Sequence, residues 1–416
     1  MKHIIENYKQ LNIKNKSLIY LMWIYFFGHI ITGIFINIYV FKLFQNIISV
    51  LAYNLVLYSS ALIGFSLMGF VISALQKNIK ISFFLSYISF MLSFLVLFIF
   101  RDAHYMVFLF AFLYGFGFGN YRCAIHTYEL KETSQEQRDF YSSIITAGEN
   151  TLTILTPFLI SFIFFATKNI GTLAYSIIFA FLPLTYVLSF FFIKNLPNFT
   201  PDKISKKDIR NFFEMDKIYN LAYFFFSSQT GNMPRILISL VSLYILKTEL
   251  NIGIFQGIVG FLSVIFVLFL SHRRHSDNRA KLMFISALFI CLNFIVLGFN
   301  LTLVNLIIFT LIDLIVAPTY RVSEHVYDLK YMSEINPNNN SFFATMISRE
   351  IFMWLGRAFF LLTLIIFFYF NNEELSIHLK IGIIIAGIPT LLSTLFVFLE
   401  EKRLNSLSSN SHSSKE

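Results

Sequence analysis

The sequence predicts an all-α membrane protein: twelve transmembrane helices in two six-helix bundles related by a pseudo-twofold axis. Three observations predict it. First, 56% of the 416 residues are hydrophobic and only 13% are charged, with a mean hydropathy of +0.69. That is too little charge to cover a water-facing surface of this size. Second, apolar stretches of ~20 residues, the length that crosses a bilayer, recur from end to end. Third, one segment occurs twice. Tyr121-Arg122-Cys123-Ala124-Ile125-His126-Thr127-Tyr128-Glu129-Leu130-Lys131 returns nearly half the chain later as Tyr320-Arg321-Val322-Ser323-Glu324-His325-Val326-Tyr327-Asp328-Leu329-Lys330. Six of eleven positions are identical, and Glu129/Asp328 keeps the charge. Both copies follow a long apolar run, so the doubled unit is a membrane bundle. Parallel repeats around a central site are one way membrane carriers are built.

Read on the ~20-residue rule, the spans fall at roughly 17–41, 48–75, 81–100, 104–128, 140–166, 171–193, 218–246, 252–271, 280–299, 301–328, 341–369 and 377–399. The first is too long for a signal segment and is read as a retained span. The basic stretch 194–217, with Pro197 and Pro201, divides an N-terminal bundle (1–193) from a C-terminal bundle (218–399). Residues 400–416 are Ser-rich without an apolar pattern and are expected to be disordered.

An even number of spans puts both termini on one side. With that side cytoplasmic, twenty-two of the 32 Lys and Arg lie in cytoplasmic segments and five in external loops. The remaining five are within spans: Arg122, Arg235, Arg321, Arg349 and Arg357. The excess of basic residues inside sets the orientation and places a multi-pass protein in the plasma membrane. It also accounts for the net charge of +9 without nucleic acid, for which no binding motif is present.

Cys123 and Cys291 lie in different halves. They are expected as small core residues, with no disulfide, metal site or cofactor. No phosphate-binding Gly-rich loop, zinc helix or nucleophile elbow occurs. An enzyme is therefore not expected, and energy has to come from a gradient or from the substrate.

Charges inside a bilayer are costly and face the protein interior. Here they are uneven. Apart from Lys281 and Lys380 at span ends, counted with the loops, spans 2, 3, 6, 8, 9 and 12 carry none; spans 4, 5, 7, 10 and 11 carry the rest, with His29 on span 1. In this pattern the chain resembles the major facilitator superfamily. In that family helices 1, 4, 7 and 10 line a central cavity, 2, 5, 8 and 11 join the halves, and 3, 6, 9 and 12 face lipid. Between spans 2 and 3, Gly69 to Lys80 keeps the family's opening glycine and basic end, but Ser73 stands where the family has an acid. Thr156-Pro157 resembles the start of the exporter motif without its later glycines. Asn37 to Lys42 and Arg349 to Arg357 resemble a little-characterised branch from Gram-positive bacteria.

Residues at i, i+4 and i+7 share a helix face. Arg122, His126 and Glu129 do so on span 4, and Arg321, His325 and Asp328 on span 10. At ~1.5 Å per residue, Arg122 and Glu149 lie at similar depth, as do Arg321 and Glu350. This predicts one buried Arg–Glu pair per half, acting either as a gate or as a structural staple. Neutralisation by a partner would make such burial tolerable. Arg357 shares a face with Glu350, whereas Arg349 points elsewhere.

Arg235 follows a polar stretch with two helix breakers, Ser228 to Pro234, including Asn232. Broken helices at mid-membrane mark binding sites, so Arg235, Asn232, Asp313, His29 and Arg349 are the candidate cavity residues. Arg122, His126, Glu149, Arg321, His325, Glu350 and Arg357 are the candidates for gating or proton coupling, the histidines because they titrate near neutral pH.

The expected function is secondary active transport of a small polar, ionisable or amphiphilic solute by alternating access, with proton coupling and export. The expected partners are that small molecule or a lipid, and the bilayer; a monomer is expected. A flippase for lipid or lipid-linked sugar and a transport-inactive sensor or assembly protein are the alternatives.

Overall fold

The computed structural model describes residues 12–101, 103–132, 135–168, 170–200, 203–205, 221–225, 233–271, 279–335, 342–371 and 374–413. These are helical almost throughout, with no strand among them. Helix is the expected outcome for an apolar chain, because it satisfies every backbone group within one segment. The chain begins with α1 (Ile13–Ile31), a π-helical turn (Thr32–Ile36) and α2 (Asn37–Phe44). There follow α3 (Ile47–Leu75), α4 (Lys80–Ile99), α5 (Met106–Glu132), α6 (Gln135–Ala166), α7 (Gly171–Val187) and the short α8 (Ser189–Ile193). The later helices are α9 (Met233–Leu246), α10 (Glu249–Ser271), α11 (Arg279–Phe299), α12 (Leu303–Ile335), α13 (Phe342–Phe370) and α14 (Leu375–Ser413).

Among the described residues eight helical stretches are long and apolar enough to cross a membrane, with a ninth if Pro234–Leu246 and Glu249–Ile265 count as one bent span. Twelve were expected. The difference is chemical as well as a matter of which residues are described. α5 and α12 are amply long, but each carries the polar stripe that the sequence repeats, and the clearly apolar part of α12 ends at Ala317. α14 runs on as helix to Ser413, past the point where disorder was expected. Leu399, Glu400, Glu401, Lys402, Arg403 and Leu404 are all good helix formers.

Two compact units result, interleaved in sequence. The first comprises Met1–Ile36, Val56–Ile204 and Glu249–Gly260; the second comprises Asn37–Leu55, Ser205–Thr248 and Phe261–Glu416.

In the first unit α4 shows how lipid inverts the usual amphipathic pattern. Its buried face carries Ser82, Ser86, Ser89 and Ser93 beside Phe83, Tyr87, Phe90 and Phe94. Its exposed positions include Ile81, Phe84, Leu92 and Phe98. Each inward hydroxyl needs an acceptor in an apolar interior. Ser82 donates to the Asn120 carbonyl of α5 at 2.8 Å, Ser86 to the Ser82 carbonyl at 2.6 Å and Ser93 to the Phe90 carbonyl at 2.7 Å. α7 and α11 likewise turn Leu173, Ile177, Phe181, Leu184, Phe284, Leu288, Phe289 and Leu292 outward.

α3 and α5 meet through glycine. A side chain at Gly115 would strike the Leu57 carbonyl and the Ser60 hydroxyl, and one at Gly119 would strike the Ala61 carbonyl and the Phe65 amide. Small residues let backbones approach this closely. Gly119→Val is expected to destabilise the protein by about 2–3 kcal/mol, the usual cost of overpacking a filled interface. Gly171→Ala, where nothing lies within 4 Å, should be close to neutral. Thermal unfolding of the two purified variants checks the difference.

In the second unit Asn54 bridges to the Asn37 side chain and to the Val50 carbonyl, each at 2.8 Å. Asn293 of α11 donates to the Phe309 carbonyl of α12 at 2.8 Å. The Tyr320 and Ser393 hydroxyls lie 3.1 Å apart, joining α12 to α14. Cys123 and Cys291 are both buried free thiols.

Candidate functional site

The richest polar cluster of the first unit lies where α1 faces α5. On α1, Tyr25 and His29 are one turn apart and share a face. On α5, Phe118 and Arg122 have the same spacing, with Tyr121 beside them. The four rings lie as nearly parallel plates, with Arg122 at their edge. Tyr25 stacks on Tyr121 at 4.0 Å between ring centres, with an 18° interplanar angle. Tyr25 and Phe118 are parallel to within 2° at 6.1 Å. His29 lies 5.2 Å from Tyr25 and 5.8 Å from Phe118, tilted by about 20° to each. The Arg122 guanidinium carbon sits 5.7 Å from the Phe118 ring centre, within cation–π range. Tyr25 and Tyr121 are buried, whereas His29, Phe118 and Arg122 keep partial exposure. The outer layer is therefore the one that another molecule can reach.

Trp23, two residues before Tyr25, packs its indole against Gly148 of α6, where any side chain would collide with it. Its buried indole N–H has no hydrogen-bond partner among the described residues. Glu149, the neighbour of Gly148, is half-buried. The expected Arg122–Glu149 ion pair is not present: among the described residues Arg122 makes no ion pair, and an aromatic face takes the place of the carboxylate. Placing the two groups at equal depth did not place them on facing sides of their helices. His126, one turn beyond Arg122, is half-buried.

In the second unit the side chains of Arg321 and His325, and all of Asn232, lie outside the described residues, so the expected Arg321–Glu350 pair does too. Glu350 instead accepts from Arg349, its neighbour in sequence, with Nη2 to Oε1 at 3.3 Å. The expectation that Arg349 points away from Glu350 is thereby corrected. A long, flexible arginine can fold back along the helix surface. Both are buried, at 6% and 8% exposure, and Arg357 two turns on is equally so. Arg235 is exposed at the first turn of α9, and Asp313 is half-buried on α12. An apolar cavity of about 150 Å³ in this unit is lined by Phe41, Leu240, Leu243, Tyr244, Leu375 and Leu379. Lys247 also lines it, its ammonium 4.7 Å from the Tyr244 ring centre.

Two features escaped the sequence reading. One is the ring stack itself. Phe118 stands one turn before Arg122 in the same stripe as His126, and extending that stripe upstream would have found it. The other is Glu249, assigned by sequence to a loop. It opens α10 as a first-turn acid, where the helix dipole favours negative charge, and is only 4% exposed. Its Oε1 lies 3.3 Å from the Tyr175 hydroxyl, which is also 3.3 Å from the Phe35 carbonyl in the π-helical turn. Single π turns inside helices often mark functional positions. Close by, the Ser161 hydroxyl donates to the Leu250 carbonyl at 2.9 Å.

Helices that turn apolar side chains outward and hold arginine, histidine and carboxylate among them define a multi-pass membrane protein. The sequence pattern described as Major Facilitator Superfamily matches residues 18–324. The chain belongs to that superfamily. An uncharacterised protein of Bacillus subtilis (strain 168), YqgE, is 21% identical over 396 residues, spanning 90% of this chain and 88% of that one. Among solved structures, the nucleoside transporter NupG superposes with a TM-score of 0.64 at 14% identity, covering 93% of this chain and 98% of NupG. A POT family transporter in complex with a thioalcohol-conjugated peptide gives 0.66 at 12% identity, over 94% and 96%. The human organic anion transporter MFSD10 gives 0.57 at 12%, over 92% and 97%. At these identities the likeness is one of fold.

Proposed function

We propose that this protein is a secondary active transporter that carries a small ionisable solute across the plasma membrane by alternating access, with both termini cytoplasmic. Membership of the superfamily supports the class. The observation that carries the reading is Arg122: a guanidinium inside an apolar bundle, half-exposed, seated on a ring and without a carboxylate among the described residues. A charge held there is costly and is retained most readily where a substrate of opposite charge completes it. His29 in the first unit, and Arg235, Asp313, Asn232 and Arg349 in the second, are assigned to substrate binding. Arg321, His325, Glu350 and Arg357 in the second unit, with His126 and Glu149 in the first, are assigned to gating or proton coupling. Export, the direction hinted at by Thr156-Pro157, belongs to the same proposal.

The test is solute uptake into vesicles reconstituted with the purified protein, with and without an imposed pH gradient. Wild-type protein should accumulate its solute only with the gradient. Glu149→Gln, which keeps shape and removes the ionisable group, should lose accumulation but retain exchange of labelled for unlabelled solute. Accumulation by Glu149→Gln at the wild-type level would remove Glu149 from proton coupling. Gradient-independent uptake by the wild type would remove proton coupling altogether.

A further inference from the structure

We infer that the face formed by α1 and α5 takes a planar aromatic anion, its ring laid against Phe118 and His29 and its carboxylate on Arg122. This rests on the reading of that face as the binding site and adds the chemical class of the ligand. The shape comes from the rings. Tyr121, Tyr25, His29 and Phe118 all lie within about 20° of parallel. Aromatic side chains that merely fill a core usually meet edge to face as often as stacked. The α4–α5 contact nearby does so, with Phe94 at 76° to Phe110 and 88° to Tyr114. A layered set whose inner rings are buried and whose outer rings are half-open offers one surface, a flat one. A flat ring covers it fully, and a puckered ring touches it at a few atoms only.

The sign of the charge comes from Arg122. Among the described residues Arg122 meets the Phe118 face and makes no ion pair, and a guanidinium carries five N–H donors to offer an oxygen. Guanidinium matches carboxylate with two parallel hydrogen bonds. It repels cations, so an aromatic amine is disfavoured at the same place. The guanidinium lies beside the Phe118 ring, so one rigid molecule can meet ring and charge together.

The chain has two tryptophans, Trp23 and Trp354. Trp354→Phe therefore leaves Trp23, on the same helix as Tyr25 and His29, as the sole indole reporter. Benzoate, nicotinate and naphthalene-1-carboxylate are titrated calorimetrically into purified protein, with cyclohexanecarboxylate and nicotinamide as the puckered and neutral counterparts. Nicotinate quenching of Trp23 fluorescence locates the site. At least one aromatic carboxylate should bind about tenfold or more tightly than nicotinamide, as expected when one charge-assisted contact is lost, and clearly more tightly than cyclohexanecarboxylate, which keeps the charge and loses the flat ring contact. Arg122→Gln should lower that affinity by a similar factor, and Arg122→Lys less. Phe118→Leu should erase the preference for benzoate over cyclohexanecarboxylate while leaving both bound.

Equal binding of benzoate and cyclohexanecarboxylate, no binding of any of the three carboxylates, or an unchanged affinity in Arg122→Gln overturns the inference. Melting profiles of the variants separate lost binding from lost folding, and Arg122→Lys and Phe118→Tyr serve as shape-keeping controls. Binding without exchange in vesicles would leave the ligand class standing and sink the transport reading. Exchange of other solutes without aromatic binding would do the reverse.

Discussion

Arg122→Gln is expected to cut the initial rate of solute exchange roughly thirtyfold while leaving the protein as stable as wild type, or slightly more so. A charge-assisted hydrogen bond to a bound anion is worth about 2 kcal/mol, which corresponds to that factor. The stability side follows from the same geometry. Arg122 has an aromatic face beneath it and no ion pair among the described residues. Its burial therefore costs solvation with little compensation, and glutamine relieves that cost. Sites built to bind are commonly kept at some expense to stability. Exchange in vesicles and thermal unfolding of the same preparation check both halves. If melting fell by several degrees and exchange stayed intact, Arg122 would be a packing element.

Glu350→Ala is expected to destabilise the protein by about 3 kcal/mol, the usual penalty for removing one member of a buried ion pair. Arg349 and Glu350 are both nearly inaccessible, so water cannot take over the arginine. The double change Arg349→Met with Glu350→Leu should recover most of the loss, since apolar replacement of a whole buried pair is often neutral or better. This pair of variants also separates the two roles open to the site. A stable double variant that still exchanges solute makes the pair a staple for α13. A stable double variant with no exchange makes it a gate. Differential scanning fluorimetry in detergent, followed by vesicle exchange, reads both.

Much of this was legible in the chain. Composition announced a membrane protein because a bilayer removes the need for surface charge. The repeat of Tyr121–Lys131 at Tyr320–Lys330 pointed to the two helices, α5 and α12, that carry the polar stripes. The span list located α3, α4, α7, α11 and α13 closely, because apolar length alone delimits a crossing. It counted α9 and α10 as ordinary spans, although α9 begins only at Met233 among the described residues and α10 three residues earlier than expected. Glu249 was lost in that shift. A three-residue displacement of a boundary turns a buried helix-opening acid into a loop residue on paper.

Which residues are charged and which segments are apolar enough to cross are one-dimensional properties, and the sequence by itself determined them. Which partner each buried charge meets depends on helix rotation and on rotamers, and depth along a span contains neither. Two residues at the same level on neighbouring helices can face each other or opposite ways. Only the tertiary structure decided that Arg122 lies over Phe118 and apart from Glu149, that Arg349 turns back onto Glu350, and that Trp23 rests against Gly148. The same holds for the parallel rings of Tyr25, His29, Phe118 and Tyr121: each is an ordinary aromatic or imidazole residue in the chain, and the flat surface exists only once two helices have set their angles to each other.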